Sequence, residues 1–126
     1  MSILMSLLLA AALAGPKVAV SSSGPKADSR VESRFARAPW FMIYDPAART
    51  WQSFDNSKTA ENPSGAGKEA ARVLVDRGVN VVLTGYCGTN ACRALSAAGV
   101  RIYEVSGGTV AEALRAYQAG KLKELK

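Results

Sequence analysis

One stretch of this chain limits the possible folds more than any other: an apolar run, a glycine-containing turn and a helical pattern in direct succession. Residues 79–84 are rich in valine and leucine, which is typical of a strand buried on both faces. Residues 91–98 have helical periodicity, and Gly85 and Gly88 lie between the two patterns, as a tight strand-to-helix turn requires. Such a turn directs free backbone N–H groups at whatever lies before the helix, so it predicts a seat for an anion or a thiolate.

The remaining elements follow from the same kinds of pattern. We predict further strands over residues 17–21, 40–44, 50–55 and 100–105, and helices over residues 68–77, 91–98 and 110–119, with Thr109 as an N-cap. Residues 121–126 are predicted to be a basic tail. The order β-ββ-α-β-α-β-α predicts an α/β fold: a single three-layer domain whose mixed five-stranded sheet is flanked by helices, with parallel neighbours in its second half.

Ligands of such sheets sit beyond the carboxyl ends of the strands. We therefore expect four polar, glycine-containing segments to converge there, namely residues 21–37, 56–67, 85–90 and 106–109. The hairpin of the second and third strands would bring Asp55 and Asn56 to the same edge. This convergence predicts one binding site, built from loops rather than from strand interiors.

Charge and motif content exclude several functions. The chain carries a net charge of +6, and Arg34 and Arg37 are either an anion-facing rim or solvated surface residues. No nucleic-acid-binding module is recognisable. Lys68 is followed by Glu69 rather than Ser or Thr, which rules out a P-loop. The strand-borne carboxylates that a two-metal nuclease requires are also missing.

The chain has two cysteines, Cys87 and Cys92, and no histidine. Two cysteines are compatible with a disulfide, a two-thiolate site or no joint role, because their spacing matches no common metal motif. Cys87 lies in the turn and is expected to be partly exposed, with a thiolate favoured by the following helix. Cys92 is expected to pack as a core residue.

Residues 1–15 form an apolar extension before the domain of residues 16–126. Residues 12–14 resemble the cleavage site of a secretory signal peptide, but no Lys or Arg precedes the apolar core, so an extended start site and an extra helix stay open as alternatives for residues 1–14. We expect the domain to be cytoplasmic, and exported if this segment acts as a signal.

Several pieces together resemble the dinitrogenase iron–molybdenum cofactor biosynthesis family, which includes NifX-like carriers, the C-terminal domain of NifB-like proteins and orange-protein-type domains. No single piece is specific, but their order and spacing are, over residues 17–122. The matching pieces are residues 17–20 (KVAV), 31–39 (VESRFARAP), 55–56 (DN), 65–67 (GAG), 82–85 (VLTG), 88–91 (GTNA), 94–100 (ALSAAGV), 107–110 (GGTV) and 113–114 (AL).

The resemblance implies a ribonuclease H-like sheet and the binding, carriage or assembly of an iron–molybdenum or molybdenum–copper sulfur cluster, without catalysis. It also implies a cluster donor or acceptor protein as partner. The missing histidine transfers ligation to Cys87, with Cys92 second, or to backbone N–H groups and arginines. The candidate cluster-binding residues are Arg34, Arg37, Asn56, Gly85, Cys87, Gly88, Asn90, Gly107 and Thr109.

Two other functions stay open. A small regulatory or protein-interaction domain without a cluster would also explain the absent histidine. A thiol enzyme built around Cys87 ranks last, because no general base is visible in the sequence.

Overall fold

The computed structural model describes residues 15–125, so the extension predicted over residues 1–14 lies outside the described part. The described chain forms six strands, four helices and one short 3-10 helix. These are β1 (Val18–Ser22), the 3-10 helix Phe35–Arg37, β2 (Trp40–Asp45), β3 (Thr50–Asp55), α1 (Ser57–Ala60), α2 (Ala66–Asp76), β4 (Val81–Thr84), α3 (Thr89–Ala97), β5 (Arg101–Glu104), α4 (Val110–Gln118) and β6 (Lys123–Leu125). None of the described helices is long and apolar enough to cross a membrane.

All six strands belong to one mixed sheet in the order β3-β2-β1-β4-β5-β6. The three central strands β1, β4 and β5 are parallel, as the βαβ pattern predicts. Strands β2 and β6 run antiparallel to their neighbours β1 and β5, and β3 runs antiparallel to β2. The carboxyl ends of β1, β3, β4 and β5 therefore meet at one edge of the sheet.

The prediction of five strands was wrong, because residues 123–125 pair with β5 instead of forming a basic tail. Three of residues 121–126 are lysines, and the apolar residues among them are too few to show a strand pattern. Leu125 lies opposite Ile102 in the ladder and packs partly against the core. Arg101 Nε also lies 3.2 Å from Glu124 Oε2, which pairs the two strands across their exposed side.

Helices cover both faces of the sheet, which confirms three layers. On one face α2 and α3 pack against the sheet, and Leu74 and Leu95 are fully buried there beside Val82. On the other face α4 packs through Val110 and Leu114. The helices bury apolar residues that repeat along one side, namely Ala66, Ala70, Ala71 and Leu74 in α2, Ala91 and Leu95 in α3, and Val110, Ala113 and Leu114 in α4.

Element boundaries differ modestly from those predicted. Helix α2 begins at Ala66 and α3 at Thr89, both two residues earlier than expected, and β4 begins at Val81. The loop expected over residues 56–67 contains the single-turn helix α1. Its four residues have no buried side chain, so apolar periodicity could not signal it.

The β2–β3 hairpin contains a strained position. Asp45 Oδ1 accepts hydrogen bonds from the backbone N–H groups of Ala47 and Ala48, at 3.0 and 3.4 Å. The turn then closes through Arg49, whose φ of 56° lies in the left-handed region. Arg49 is the one non-glycine residue of the described chain with a positive φ.

We expect Arg49→Gly to raise the free energy of unfolding by roughly 0.5–1 kcal/mol, because glycine adopts a positive φ without a Cβ clash. Ala48→Gly is the matched control, since Ala48 has no positive φ, and should lower that free energy by a similar amount. Urea denaturation of both variants measures the effect. A fall in stability for Arg49→Gly would contradict the assignment of strain.

Candidate functional site

The four predicted segments do converge at the carboxyl edge of the sheet. The loop after β1 is bonded to the turn after β4, because Tyr86 N–H donates to the Ser33 carbonyl at 2.6 Å and Phe35 N–H donates to the Tyr86 carbonyl at 2.9 Å. The same loop reaches the turn before α4, where Val31 N–H donates to the Gly108 carbonyl at 2.9 Å. The loop after β1 is therefore the centre of the site.

Arg37 joins the fourth segment to the others. Its Nη1 donates to the carbonyl oxygens of Ala60 and Asn62, at 2.8 and 2.7 Å. It thus serves as a clamp on the end of α1. The Arg34 side chain is exposed, and its backbone forms an isolated parallel β-bridge with that of Tyr86. Of the two arginines predicted to face an anion, Arg34 is the free one in this geometry.

Asn56 lies inside the protein rather than on the rim. Its side chain is 2% exposed, its N–H donates to the Pro39 carbonyl at 2.8 Å, and its Nδ2 donates to the Ala38 carbonyl at 2.9 Å. Its Oδ1 is a buried acceptor without a partner among residues 15–125. Asn56 therefore ties the end of β3 to the start of β2, beneath the loops.

Two buried hydroxyls that sequence reasoning missed lie at the same edge. Ser21 is the penultimate residue of β1 and Thr84 is the last residue of β4, and their hydroxyl oxygens are 2.8 Å apart. Ser21 Oγ also donates to the Glu32 carbonyl at 2.6 Å, which holds the loop after β1 down on the sheet. Polar residues at the ends of two adjacent buried strands were the available signal.

The turn after β4 needs glycine at one of its two glycine positions. A methyl group on Gly85 would lie 2.7 Å from the Ser33 carbonyl oxygen, so only glycine lets the two backbones bond. A methyl group on Gly88 would meet nothing within 4 Å, and its φ is −64°. Gly85 is thus required by packing, whereas Gly88 faces open space at the start of α3.

Helices α3 and α4 begin differently, although both point their N-termini at this edge. Gly88 precedes α3, which has neither a side-chain cap nor an acidic residue in its first turn, where Asn90 is exposed. Thr109 caps α4 in a capping box: its hydroxyl accepts from Glu112 N–H, and its own N–H donates to Glu112 Oε1. The α3 N-terminus is open to an anion, and the α4 N-terminus is already satisfied.

Thr109 and its glycines are therefore placed as structural residues. The Glu112 pKa is lowered, first by the hydrogen bond from the Thr109 backbone N–H. Gly107 and Gly108 both have positive φ, and the Gly108 carbonyl accepts from Val31. Of this turn, Gly107 alone among the predicted residues lines the cleft described next.

A cleft of about 250 Å³ lies between the three bonded loops. It is lined by Val31, Ser33, Gly85, Tyr86, Val105, Ser106 and Gly107. Tyr86 is 65% exposed although both its backbone groups are hydrogen-bonded, so a fixed backbone presents an aromatic ring to solvent. The sequence did not single out Tyr86, and its position before Cys87 in the turn was the available signal.

The expectation that Cys87 is partly exposed was wrong. The residue is 9% exposed, and burial, with a smaller contribution from neighbouring Cys92, raises the pKa of its thiol far above the ordinary value. Desolvation therefore outweighs the helix N-terminus, and the thiol is protonated at neutral pH. Cys92 is half-buried against the core, as predicted, and its Sγ donates to the Cys87 carbonyl at 3.2 Å.

Within residues 15–125, no group of three or more His, Cys, Asp or Glu side chains could hold a metal ion. Both cysteines are free thiols. A bare cation would thus find at most two side chains of these four types together in the described residues. The arrangement suits an anion that brings its own coordination shell better than it suits a single metal ion.

Comparison with known proteins identifies the fold's relatives. Residues 16–120 match the sequence model of the family described as dinitrogenase iron-molybdenum cofactor. The chain belongs to this family. A search of curated proteins finds no significant match.

Solved structures agree with that membership. The apo form of the orange protein from Desulfovibrio gigas is 35% identical, with a TM-score of 0.83 over 87% of this chain and 92% of the other. A Thermotoga protein assigned to NifB is 38% identical, with a TM-score of 0.80 over 88% and 94%. A Methanocaldococcus jannaschii protein assigned as a dinitrogenase, 17% identical with a TM-score of 0.66 over 88% and 95%, shares the fold.

The two glycines of the turn give a matched pair of tests. Gly85→Ala should lower the free energy of unfolding by about 1–3 kcal/mol, because its methyl group collides with the Ser33 carbonyl. Gly88→Ala should change it by less than about 0.5 kcal/mol. Chemical denaturation of both variants decides, and equal effects would show that the close approach at Gly85 is unimportant.

The capping box at Thr109 predicts a pH-dependent contribution. Thr109→Ala should lower the free energy of unfolding by about 1 kcal/mol. Because the Glu112 pKa is lowered on folding, its charge stabilises the fold above its ordinary pKa, about 4.3, and that stability is lost as pH falls through the folded value. The difference in free energy of unfolding between wild type and Glu112→Gln should therefore shrink as pH falls from above about 4.3 through the pKa of folded Glu112. A difference that is constant with pH would contradict the assignment.

Proposed function

We propose that this protein binds and carries a preassembled metal–sulfur cluster, of iron–molybdenum or molybdenum–copper type, at the carboxyl edge of its sheet. The cluster is cargo, and the protein does not catalyse a reaction on it. The observation that carries the proposal is the uncapped N-terminus of α3, which follows Gly88 in the same turn as Tyr86 of the cleft and lies between the two cysteines of the chain. Membership of the iron–molybdenum cofactor family supports the choice of cargo.

The physical argument rests on charge. A cluster with a sulfide shell is an anion, and the first N–H groups of a helix together with its dipole favour an anion. Gly88 leaves room for a bulky ligand to approach the backbone, since nothing lies within 4 Å of its missing side chain. Asn90, in the first turn of α3, adds an exposed polar side chain.

Positive charge on the neighbouring loop strengthens the attraction. Arg30 and Arg34 are exposed on the loop after β1, which is bonded to both other turns of the cleft. The net charge of +6 draws an anionic cargo toward the protein as a whole. Arg37 contributes by clamping the end of α1, and not by contact with the cargo.

Cys87 plays a conditional part in this proposal. Burial keeps its thiol protonated, so direct ligation requires the metal to displace that proton. We infer that non-covalent contacts hold the cargo first, and that Cys87, followed by Cys92, becomes a ligand only where the metal is thiophilic.

The exposed ring of Tyr86 supports the transfer half of the proposal. Large aromatic side chains are enriched at the energetic centres of protein interfaces, and this one stands beside the cleft on a fixed backbone. We infer that a cluster donor or acceptor protein docks there. The same ring favours the alternative function, a regulatory or interaction domain that binds a protein without a cluster.

We also infer a ribonuclease H-like topology for the domain. It is supported by the order β3-β2-β1-β4-β5, in which β2 alone runs opposite to the other four strands.

The test fills the α3 N-terminus with a negative charge. Gly88→Asp supplies the missing N-cap carboxylate, which should stabilise the fold and repel an anionic cluster. Gly88→Ala is the uncharged control: it adds a Cβ at the same backbone position without a carboxylate. Each variant is reconstituted anaerobically with iron, copper, thiomolybdate and sulfide, and bound metal is followed by visible absorption and metal analysis.

We expect stoichiometric colour in wild type and Gly88→Ala, and at least a tenfold loss of bound metal in Gly88→Asp together with a raised unfolding midpoint. If Cys87→Ser still binds the metal, backbone N–H groups and arginines hold the cluster. If Cys87→Ser binds no metal, a thiolate holds it. Wild-type protein that binds no metal under any mixture would overturn the proposal and favour the interaction domain.

A further inference from the structure

The two cysteines have a relation to each other that cluster binding does not need. They lie on either side of the α3 N-terminus, Cys87 in the turn and Cys92 in the helix. Cys92 Sγ is 3.2 Å from the Cys87 carbonyl oxygen, so the side chain of Cys92 lies against the backbone of Cys87. The Cys92 thiol contacts the Cys87 backbone, and both cysteines are reduced and unbridged.

Their surroundings differ, which gives them different chemistry. Cys87 is 9% exposed and packs within the core cluster beneath α2 and α3. Cys92 is only partly buried and packs at the margin of that cluster. A dissolved oxidant can therefore reach Cys92, whereas Cys87 is within reach of Cys92 but shielded from solvent.

We propose that Cys87 and Cys92 are a reversible dithiol–disulfide pair, in which Cys92 reacts first with a small external disulfide and Cys87 resolves the adduct. The co-reactant is a low-molecular-weight disulfide of the glutathione class. The site is one of redox modification, and it exists whether or not a cluster is ever bound.

Two exchange steps complete the reaction. The Cys92 sulfur attacks the external disulfide, forming a Cys92–glutathione bond, and the first glutathione leaves as a thiolate that takes the Cys92 proton. The Cys87 sulfur then attacks Cys92 Sγ, and the second glutathione leaves with the Cys87 proton. One external disulfide is reduced to two thiols, and the protein loses two hydrogen atoms as the internal bond forms.

A consequence for the candidate site rests on the function proposed above. The disulfide would consume the only two thiols of the described chain and would tie the Tyr86–Gly88 turn to α3, at the point where the cargo is expected to bind. Oxidation should therefore lower the capacity for a thiophilic cluster and leave the fold intact.

The experiment follows thiol oxidation on metal-free protein and so does not depend on cluster binding. Reduced full-length protein is mixed with oxidised glutathione, and intact-mass spectrometry follows adducts over time. We expect a transient glutathione adduct that peptide mapping places on Cys92, then a species lighter than the reduced protein by two hydrogens, with no retained glutathione. Dithiothreitol should restore both free thiols.

The single cysteine variants are the matched controls. Cys87→Ser should keep one glutathione on Cys92 permanently, and Cys92→Ser should react at least tenfold more slowly, because its remaining thiol is buried. In urea the two variants should react at similar rates. A persistent adduct on wild-type protein, disulfide-linked dimers, or equal rates for the folded variants would overturn the proposal.

Peptide mapping of the glutathione adduct on wild-type protein shows by itself which cysteine reacts first. The proposal can therefore be tested even if one of the variants does not fold. If the disulfide forms but reconstitution fails, the redox pair stands and the cluster function falls. If the cluster binds but no disulfide forms, the reverse holds.

Discussion

The site depends on a short backbone ladder between the loop after β1 and the turn after β4. Tyr86 exchanges both of its backbone hydrogen bonds with Ser33 and Phe35, and Gly85 permits the approach. The ladder places Phe35 fully inside the core, where its ring packs 5.1 Å from that of Phe41. The buried Phe35 side chain and these two backbone bonds anchor the loop of polar and basic residues at the turn after β4, and the Val31–Gly108 bond anchors it at the turn before α4.

Much of the fold follows from the periodicity of apolar residues, because the central strands and the three longer helices bury most of the apolar residues that form their patterns. The parallel core β1-β4-β5 and the Thr109 N-cap are of this kind. Elements with weak patterns are different. Strand β6 is stabilised by pairing with β5 and by Leu125, and α1 is held by Arg37 from a distant segment, so neither is visible in its own sequence. Such elements exist because of tertiary contacts, and local propensity carries no trace of them.

The candidate site divides in the same way. That four loops converge follows from topology alone, since the carboxyl ends of parallel strands share an edge. Which side chains face the cleft does not follow. Arg34 and Arg37 are three residues apart in one loop, yet the 3-10 helix between them leaves one exposed and turns the other onto the carbonyls of Ala60 and Asn62. The burial of Cys87 likewise depends on how the turn packs between two helices, which the spacing of residues in the sequence does not determine.

The balance between desolvation by burial and the dipole of α3 decides how a ligand can bind at the carboxyl edge of the sheet. At Cys87 burial prevails and the thiol is neutral, so its sulfur binds a metal or attacks a disulfide only as it gives up its proton. At Gly88, one residue further, nothing is buried and the N–H groups of α3 stay open. In the function proposed above, an uncapped helix N-terminus, which favours an anion, lies beside a protonated thiol in a chain without histidine. Such a pairing favours a hold that can be released: backbone and charge capture the cargo, and covalent ligation follows only when a metal can outcompete the proton. That property is what a carrier needs and what a permanent metal site lacks.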